Sequence, residues 1–174
     1  MSPAAPIENN ERRGLCASCG GECCRTRPGI ESPDRFLALA DPVASLAAAL
    51  DSGDWVLARR VGIPWDGSEP PPPELRWRVI LYPRPATVAE RQAGRPFTGG
   101  ENSPCVFLGE EGCRLSFEER PLMCQSLEPW ADGECQASWD QSSAALAWLP
   151  HQALVEEAVR RTSLPRPASD GFVG

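Results

Sequence analysis

Four cysteines fall within nine positions, Cys16, Cys19, Cys23 and Cys24 of "CASCGGECC", and Cys105, Cys113 and Cys124 follow after eighty residues that contain none. Cys135 is the eighth. Thiols at this density pair as disulfides, exchange electrons as a redox centre, or hold a soft metal ion. An even count is compatible with four disulfides. Cys23 and Cys24 are poor mutual partners, however, because adjacent Cα atoms sit ~3.8 Å apart, below the usual ~4.4–6.8 Å range. Metal chelation suits the spacing better. A Cys-x-x-Cys turn lets two thiolates converge on one ion, and Gly20 and Gly21 supply the tight backbone such a knuckle needs. Soft thiolates favour zinc or an iron–sulfur cluster over magnesium or calcium.

The other residue types remove competing chemistries. The chain of 174 residues has no lysine, so a Schiff-base lysine and a P-loop lysine are both excluded. It has one histidine, His151, too few for a His-rich zinc site or a two-cysteine, two-histidine finger. A Ser-His-Asp triad would need His151, and no GxSxG elbow accompanies it. A net charge of −7 disfavours a broad nucleic-acid-binding face, so no nucleic-acid partner is expected. No run approaches the ~20 apolar residues of a membrane span. The opening "MSPAAPIENNERRG" has no apolar leader core, which predicts a cytoplasmic protein whose thiols stay reduced.

Counting ligands leaves the metal open. One all-cysteine zinc site or one four-iron cluster uses four thiolates, and two zinc ions could use all eight. Either four-thiolate site carries a charge of about −2, which Arg25, Arg27, Arg114 and Arg120 could offset. Cys105 precedes an apolar run, Cys113 follows a glycine turn, and Cys124 comes shortly after Arg120-Pro121. A joint site across both blocks would supply the fourth ligand that the second block lacks, with Cys135 as its rival.

"CASCGGECC" followed by "CVFLGEEGCRLSFEERPLMC" resembles the YkgJ-type cysteine-cluster family, a zinc- or iron-chelating CxxCxxCC domain. The resemblance covers about thirty positions in two blocks. It implies that Cys16, Cys19, Cys23, Cys24, Cys105, Cys113 and Cys124 chelate the metal, with Arg120 and Pro121 matching the family's Arg-Pro pair. This chain departs from the pattern in having three residues between Cys19 and Cys23, Phe117 in place of a frequent tyrosine, and Gln125 in place of a common arginine. Flagellin lysine N-methylases carry the same domain. No glycine-rich strand–turn–helix signature for their cofactor occurs here, and that activity is not carried over.

The elements that must position these residues are short. Nineteen prolines and fifteen glycines argue for a loop-rich body. The expected architecture is a small irregular α+β domain, metal-stabilised, with short helices around a hairpin. A disordered lead-in at 1–13, a single cysteine-cluster domain at 14–164 and a frayed tail at 165–174 are expected. Helices are predicted after Ser32-Pro33 and after Asp41-Pro42, each with a capping residue before proline. "DWVLARRVG" and "ELRWRVILY" read as strands joined by a proline-rich connector. "PCVFLGEEGCRL" reads as a hairpin, and Ser116 and Glu119 have capping-box spacing before a helical turn near Arg120. A loop is expected around "EPWADGEC". "PHQALVEEAVRRT" reads as a helix with Ala153, Leu154, Ala158 and Arg161 near one face and Val155 and Val159 adjoining.

The function these features point to is metal binding through two cysteine blocks, with zinc or iron as cofactor and a structural or redox role. The alternatives are a thiol–disulfide redox enzyme using Cys16/Cys19 or Cys23/Cys24, against which stands the lack of a thioredoxin-like pattern, and an interaction module shaped by structural zinc. In that last reading Trp130, Trp139 and Trp148 would face a protein partner, although tryptophans more often pack in cores. Whether the chain is an enzyme stays open at the level of sequence.

Overall fold

A computed structural model describes residues 21–26, 28–62, 72–94, 103–129 and 135–163. The expected lead-in at 1–13, the proline-rich stretch at 63–71, the tail at 165–174, and Cys16 and Cys19 lie outside the described residues.

Two short helices, α1 (Glu22–Thr26) and α2 (Asp34–Leu37), precede α3 (Pro42–Asp51). Asp41 starts α3 as its spacing predicts: its Oδ1 accepts from the Ala44 amide at 2.9 Å, and Pro42 occupies the first turn, where no amide is needed. Before α2 the Ser32 hydroxyl accepts from the Asp34 amide at 3.2 Å, but Pro33, not Ser32, holds the cap position, and no side chain caps this helix. Strand β1 (Trp55–Val61) then pairs antiparallel with β2 (Val79–Pro85), in register from Val61 opposite Val79 to Trp55 opposite Pro85. A helical turn, α4 (Pro73–Arg76), takes the place of the first residues of the expected second strand. Pro83 and Pro85 fit in β2 because a two-stranded sheet leaves each strand an unpaired edge.

Helix α5 (Val88–Ala93) opens with a reciprocal capping box between Thr87 and Glu90 and ends at Gly94 in the left-handed conformation. The hairpin β3 (Leu108–Gly109) and β4 (Gly112–Cys113) forms around Glu110-Glu111 as the sequence predicts. The turn α6 (Leu122–Gln125) follows Pro121. The loop expected around "EPWADGEC" is flanked instead by paired strands, β5 (Leu127–Pro129) and β6 (Cys135–Ala137). Helix α7 (Gln141–Trp148), capped by Asp140, then passes through a single 3₁₀ turn into α8 (Gln152–Arg161).

The described residues therefore form a small α+β fold of helices and two-stranded antiparallel sheets. Its core gathers Phe36, Leu46, Leu50, Leu57, Ile80, Tyr82, Trp148 and Val155 between the β1–β2 hairpin and helices α3, α7 and α8. Helix α8 differs from its predicted orientation. Gln152, Val155 and Ala158 are buried, whereas Ala153 and Arg161 are exposed. The reason is Gln152, whose amide donates to the Leu81 carbonyl at 3.0 Å and accepts from the Leu81 amide at 2.9 Å. That side chain satisfies the open edge of β2 as another strand would, and it rotates the helix accordingly. No helix among the described residues is long and apolar enough to cross a membrane.

Candidate metal centre

Cys105 is held from three sides. Thr87 bridges to it, the Val88 amide donates to the Pro104 carbonyl at 2.8 Å, and the Val106 amide donates to the Ala86 carbonyl at 3.0 Å. These contacts tie its backbone to the end of β2 and the start of α5, and Cys105 is buried. Cys113 lies on β4 opposite Leu108, directly after Gly112, whose φ of 101° is open to glycine and strained for other residues. Cys113 thus lies on the hairpin itself, and Cys105 lies three residues before it, braced against the end of β2 and the start of α5.

The first block reaches this unit through the backbone. The Cys105 amide donates to the Cys24 carbonyl at 2.8 Å, across the eighty-residue gap. Gly21, with φ of 72°, opens the turn into α1, and the Cys24 amide donates to its carbonyl at 2.9 Å. A Cβ at Gly21 would lie 2.6 Å from Leu108 Cδ1 and 3.9 Å from the Gly112 Cα. The turn leading into Cys24 therefore packs directly on the hairpin that carries Cys113.

Residues 29–31 continue along the Cys124 turn in three successive contacts. A Cβ at Gly29 would lie 2.2 Å from Cys124 Sγ, so only glycine allows this approach. The Ile30 carbonyl accepts from the Met123 amide at 3.1 Å, and Glu31 Oε1 accepts from the Leu122 amide at 3.3 Å. Glu31 is 3% exposed and also pairs with Arg35 at 2.7 Å. Burial pushes its carboxyl above the ordinary carboxylate range, against the pull of Arg35 and of the Ser32 and Leu122 amides.

The turn before Cys124 is built by the residues of the Arg-Pro pair. Ser116 and Glu119 make their predicted local bond, amide to carboxylate at 3.0 Å, but close a turn rather than a helix. Arg120 is buried and donates from Nε to the Leu115 carbonyl at 3.4 Å, and Pro121 is fully buried. Gln125 reaches back to the Arg120 carbonyl at 2.7 Å, which closes the turn around Cys124. Of the arginines suggested as charge partners, Arg25 is exposed on α1, Arg114 donates to the Val106 carbonyl, and Arg27 lies outside the described residues.

Of the seven predicted ligands, the backbones of Cys24, Cys105, Cys113 and Cys124 are thus linked through one continuous region. Cys16 and Cys19 lie outside the described residues, as does the side chain of Cys23. Among the described residues no three His, Cys, Asp or Glu side chains form a group that could hold a metal ion. Cys135 is exposed on β6. His151 starts α8 half-buried, edge-on to Trp148 with ring centroids 6.3 Å apart. Trp148 is fully buried and Trp139 packs against the core, so neither offers the partner-facing surface considered from sequence; Trp130 is outside the described residues. Gly29 and Glu31 carry no motif, and sequence reasoning misses both. Searches against protein-family models, curated proteins and solved structures return no match.

Proposed function

We propose that this chain is a cytoplasmic metal-binding protein in which thiolates of both cysteine blocks, drawn from Cys16, Cys19, Cys23, Cys24, Cys105, Cys113 and Cys124, hold zinc or iron, an iron–sulfur cluster being one form of the latter. The single observation that carries this reading is the hydrogen bond from the Cys105 amide to the Cys24 carbonyl, which seats one block beside the other. The close approach of Gly29 to Cys124 supports it from the opposite end of the second block. The donor set fits the group: sulfur ligands, no lysine, one histidine remote in sequence, and glycines where backbone must come close. Zinc would supply a cross-link without redox chemistry, and a cluster would supply one-electron transfer. The chain's own part is to present the thiols: Gly21 and Gly112 shape the approach of α1 to the hairpin, and the Arg120-Pro121 turn presents Cys124. The two-block resemblance of the cysteine pattern to the YkgJ-type family points to the same reading.

Anaerobic purification followed by elemental analysis and a visible absorption spectrum tests the proposal. Stoichiometric zinc in colourless protein, or iron with acid-labile sulfide in brown protein, is the expected result and decides between the two. Protein that folds and remains free of both metals after expression in metal-replete medium would contradict it.

A further inference from the structure

Glu31 makes contacts that a surface carboxylate does not. Its Oε1 accepts from the Ser32 amide at 2.8 Å and the Leu122 amide at 3.3 Å, and its Oε2 pairs with Arg35. Arg35 Nη1 also donates to the Glu119 carbonyl at 2.8 Å, so the pair grips the Cys124 turn on both sides of Pro121. The backbone of Glu31 is fixed as firmly: its amide donates to the Pro83 carbonyl at 3.1 Å, and its carbonyl accepts from Trp148 Nε1 at 2.7 Å. The first amides of a helical turn lack partners within it, and Pro121 offers no side-chain cap for α6. Glu31, 91 residues away in sequence, supplies an acceptor for the Leu122 amide, and the carbonyl of Ile30, its neighbour, supplies one for the Met123 amide.

We propose that Glu31 is the positioning residue of the metal site: it caps the Cys124 turn from outside and so fixes the Cys124 thiol in its place beside Gly29. This rests on the metal-binding reading above. A buried carboxylate anchored by β2 and α7 transmits the rigidity of the core to a four-residue turn that has little of its own. A cavity of about 390 Å³ borders Glu31, Arg35, Leu122 and Gln125. Water can therefore reach the Ser32 and Leu122 amides when the carboxylate is removed, so the variant protein folds while the turn loosens.

The test compares Glu31→Ala and Glu31→Gln with Val155→Ala, a cavity variant on α8 that lowers stability without removing a hydrogen bond to the turn. Purified metal-bound proteins are challenged with excess EDTA, and retained metal is followed by elemental analysis. Removing a group that orients a ligand typically costs metal affinity about 10- to 100-fold, so Glu31→Ala should lose metal at least about tenfold faster than wild type. Glu31→Gln, which keeps one acceptor and loses the Arg35 pair, should fall between them. Val155→Ala should remain within about twofold of wild type, since it removes no hydrogen bond that holds the turn. Metal loss from Glu31→Ala no faster than from Val155→Ala would overturn the proposal.

Alkylation of Cys124 by iodoacetamide, read by peptide mass spectrometry on metal-free protein, separates this outcome from failure of the parent reading. Faster labelling of Cys124 in Glu31→Ala, with the exposed Cys135 unchanged, is the expected result, and equal labelling of Cys124 overturns the positioning role. Wild-type protein that holds no metal overturns the metal-binding reading and, with it, Glu31 as a residue of a metal site.

Discussion

At the scale of single residues, close approach matters as much as ligand identity. Gly29→Ala places a methyl group 2.2 Å from Cys124 Sγ and 3.1 Å from its amide nitrogen. Cysteine has one side-chain torsion with which to escape, so the sulfur or the turn must move. The variant should lose about 1–3 kcal/mol of stability, the range for overpacking, and hold less metal than wild type. Gly53→Ala is the control: its φ is 73°, its nearest neighbour lies 3.7 Å away, and backbone strain should lower stability by about 1 kcal/mol with metal content unchanged. Denaturation curves and elemental analysis of both proteins check the pair of outcomes.

Glu90 supplies a second prediction at this scale, with a pH signature. Burial alone would raise its carboxyl, but the two-pronged pair with Arg84, at 2.7 and 3.0 Å, together with Thr87, outweighs burial and holds it below the ordinary carboxylate range. The folded carboxyl releases its proton more readily than the unfolded one, so the unfolded chain binds more protons in acid. The stabilisation is complete above the unfolded carboxylate value and is lost as pH falls through the depressed folded value. Glu90→Gln should therefore cost about 3 kcal/mol near neutrality, as breaking a buried pair does, and progressively less in acid. A difference from wild type that stays constant in denaturation curves across the acid range would contradict the assignment.

At the scale of elements, local signals are legible and long-range ones are not. Asp41-Pro42 announces α3, and the glycines of "GEEG" announce the hairpin, because each device acts over a few neighbouring residues. Thr87 and Glu90 carry an equally local capping box, yet α5 is only six residues long and has little apolar periodicity to draw attention to it. Helix α7 is hidden for a related reason: Ala144, Ala145 and Trp148 are its buried face, and small alanines and serines give that face little contrast. The face of α8 is misread because a polar residue, Gln152, turns inward to meet Leu81. Gln152→Ala should strand the amide and carbonyl of Leu81 and lower stability by about 2 kcal/mol while leaving bound metal unchanged. Equal loss of metal and stability in that variant would show that the β2–α8 junction belongs to the site.

At the scale of the whole molecule, the residue types of the candidate site are legible in the sequence and its closure is not. Sulfur in two blocks, the absence of lysine and the Arg-Pro turn are visible directly. The meeting of Cys24 with Cys105, and of residues 29–31 with residues 122–124, depends on contacts between distant parts of the chain that no local pattern encodes. Closing an eighty-residue loop through an ion would lower the entropy of the unfolded chain and reinforce those contacts together. Removing metal by chelation should therefore raise hydrogen exchange in residues 22–31 and 105–124 in parallel, rather than in one block first.

Metal content per chain in Cys16→Ser, Cys113→Ser and Cys135→Ser tests the central claim most directly. On this account each of the first two would replace a soft ligand by a weak one, and a site shared between blocks would register either loss as a loss of the whole. The account predicts that Cys16→Ser and Cys113→Ser each deplete the metal and destabilise both blocks, while Cys135→Ser retains the wild-type amount. Depletion by Cys135→Ser, with Cys16→Ser sparing the metal held by Cys105, Cys113 and Cys124, would contradict it.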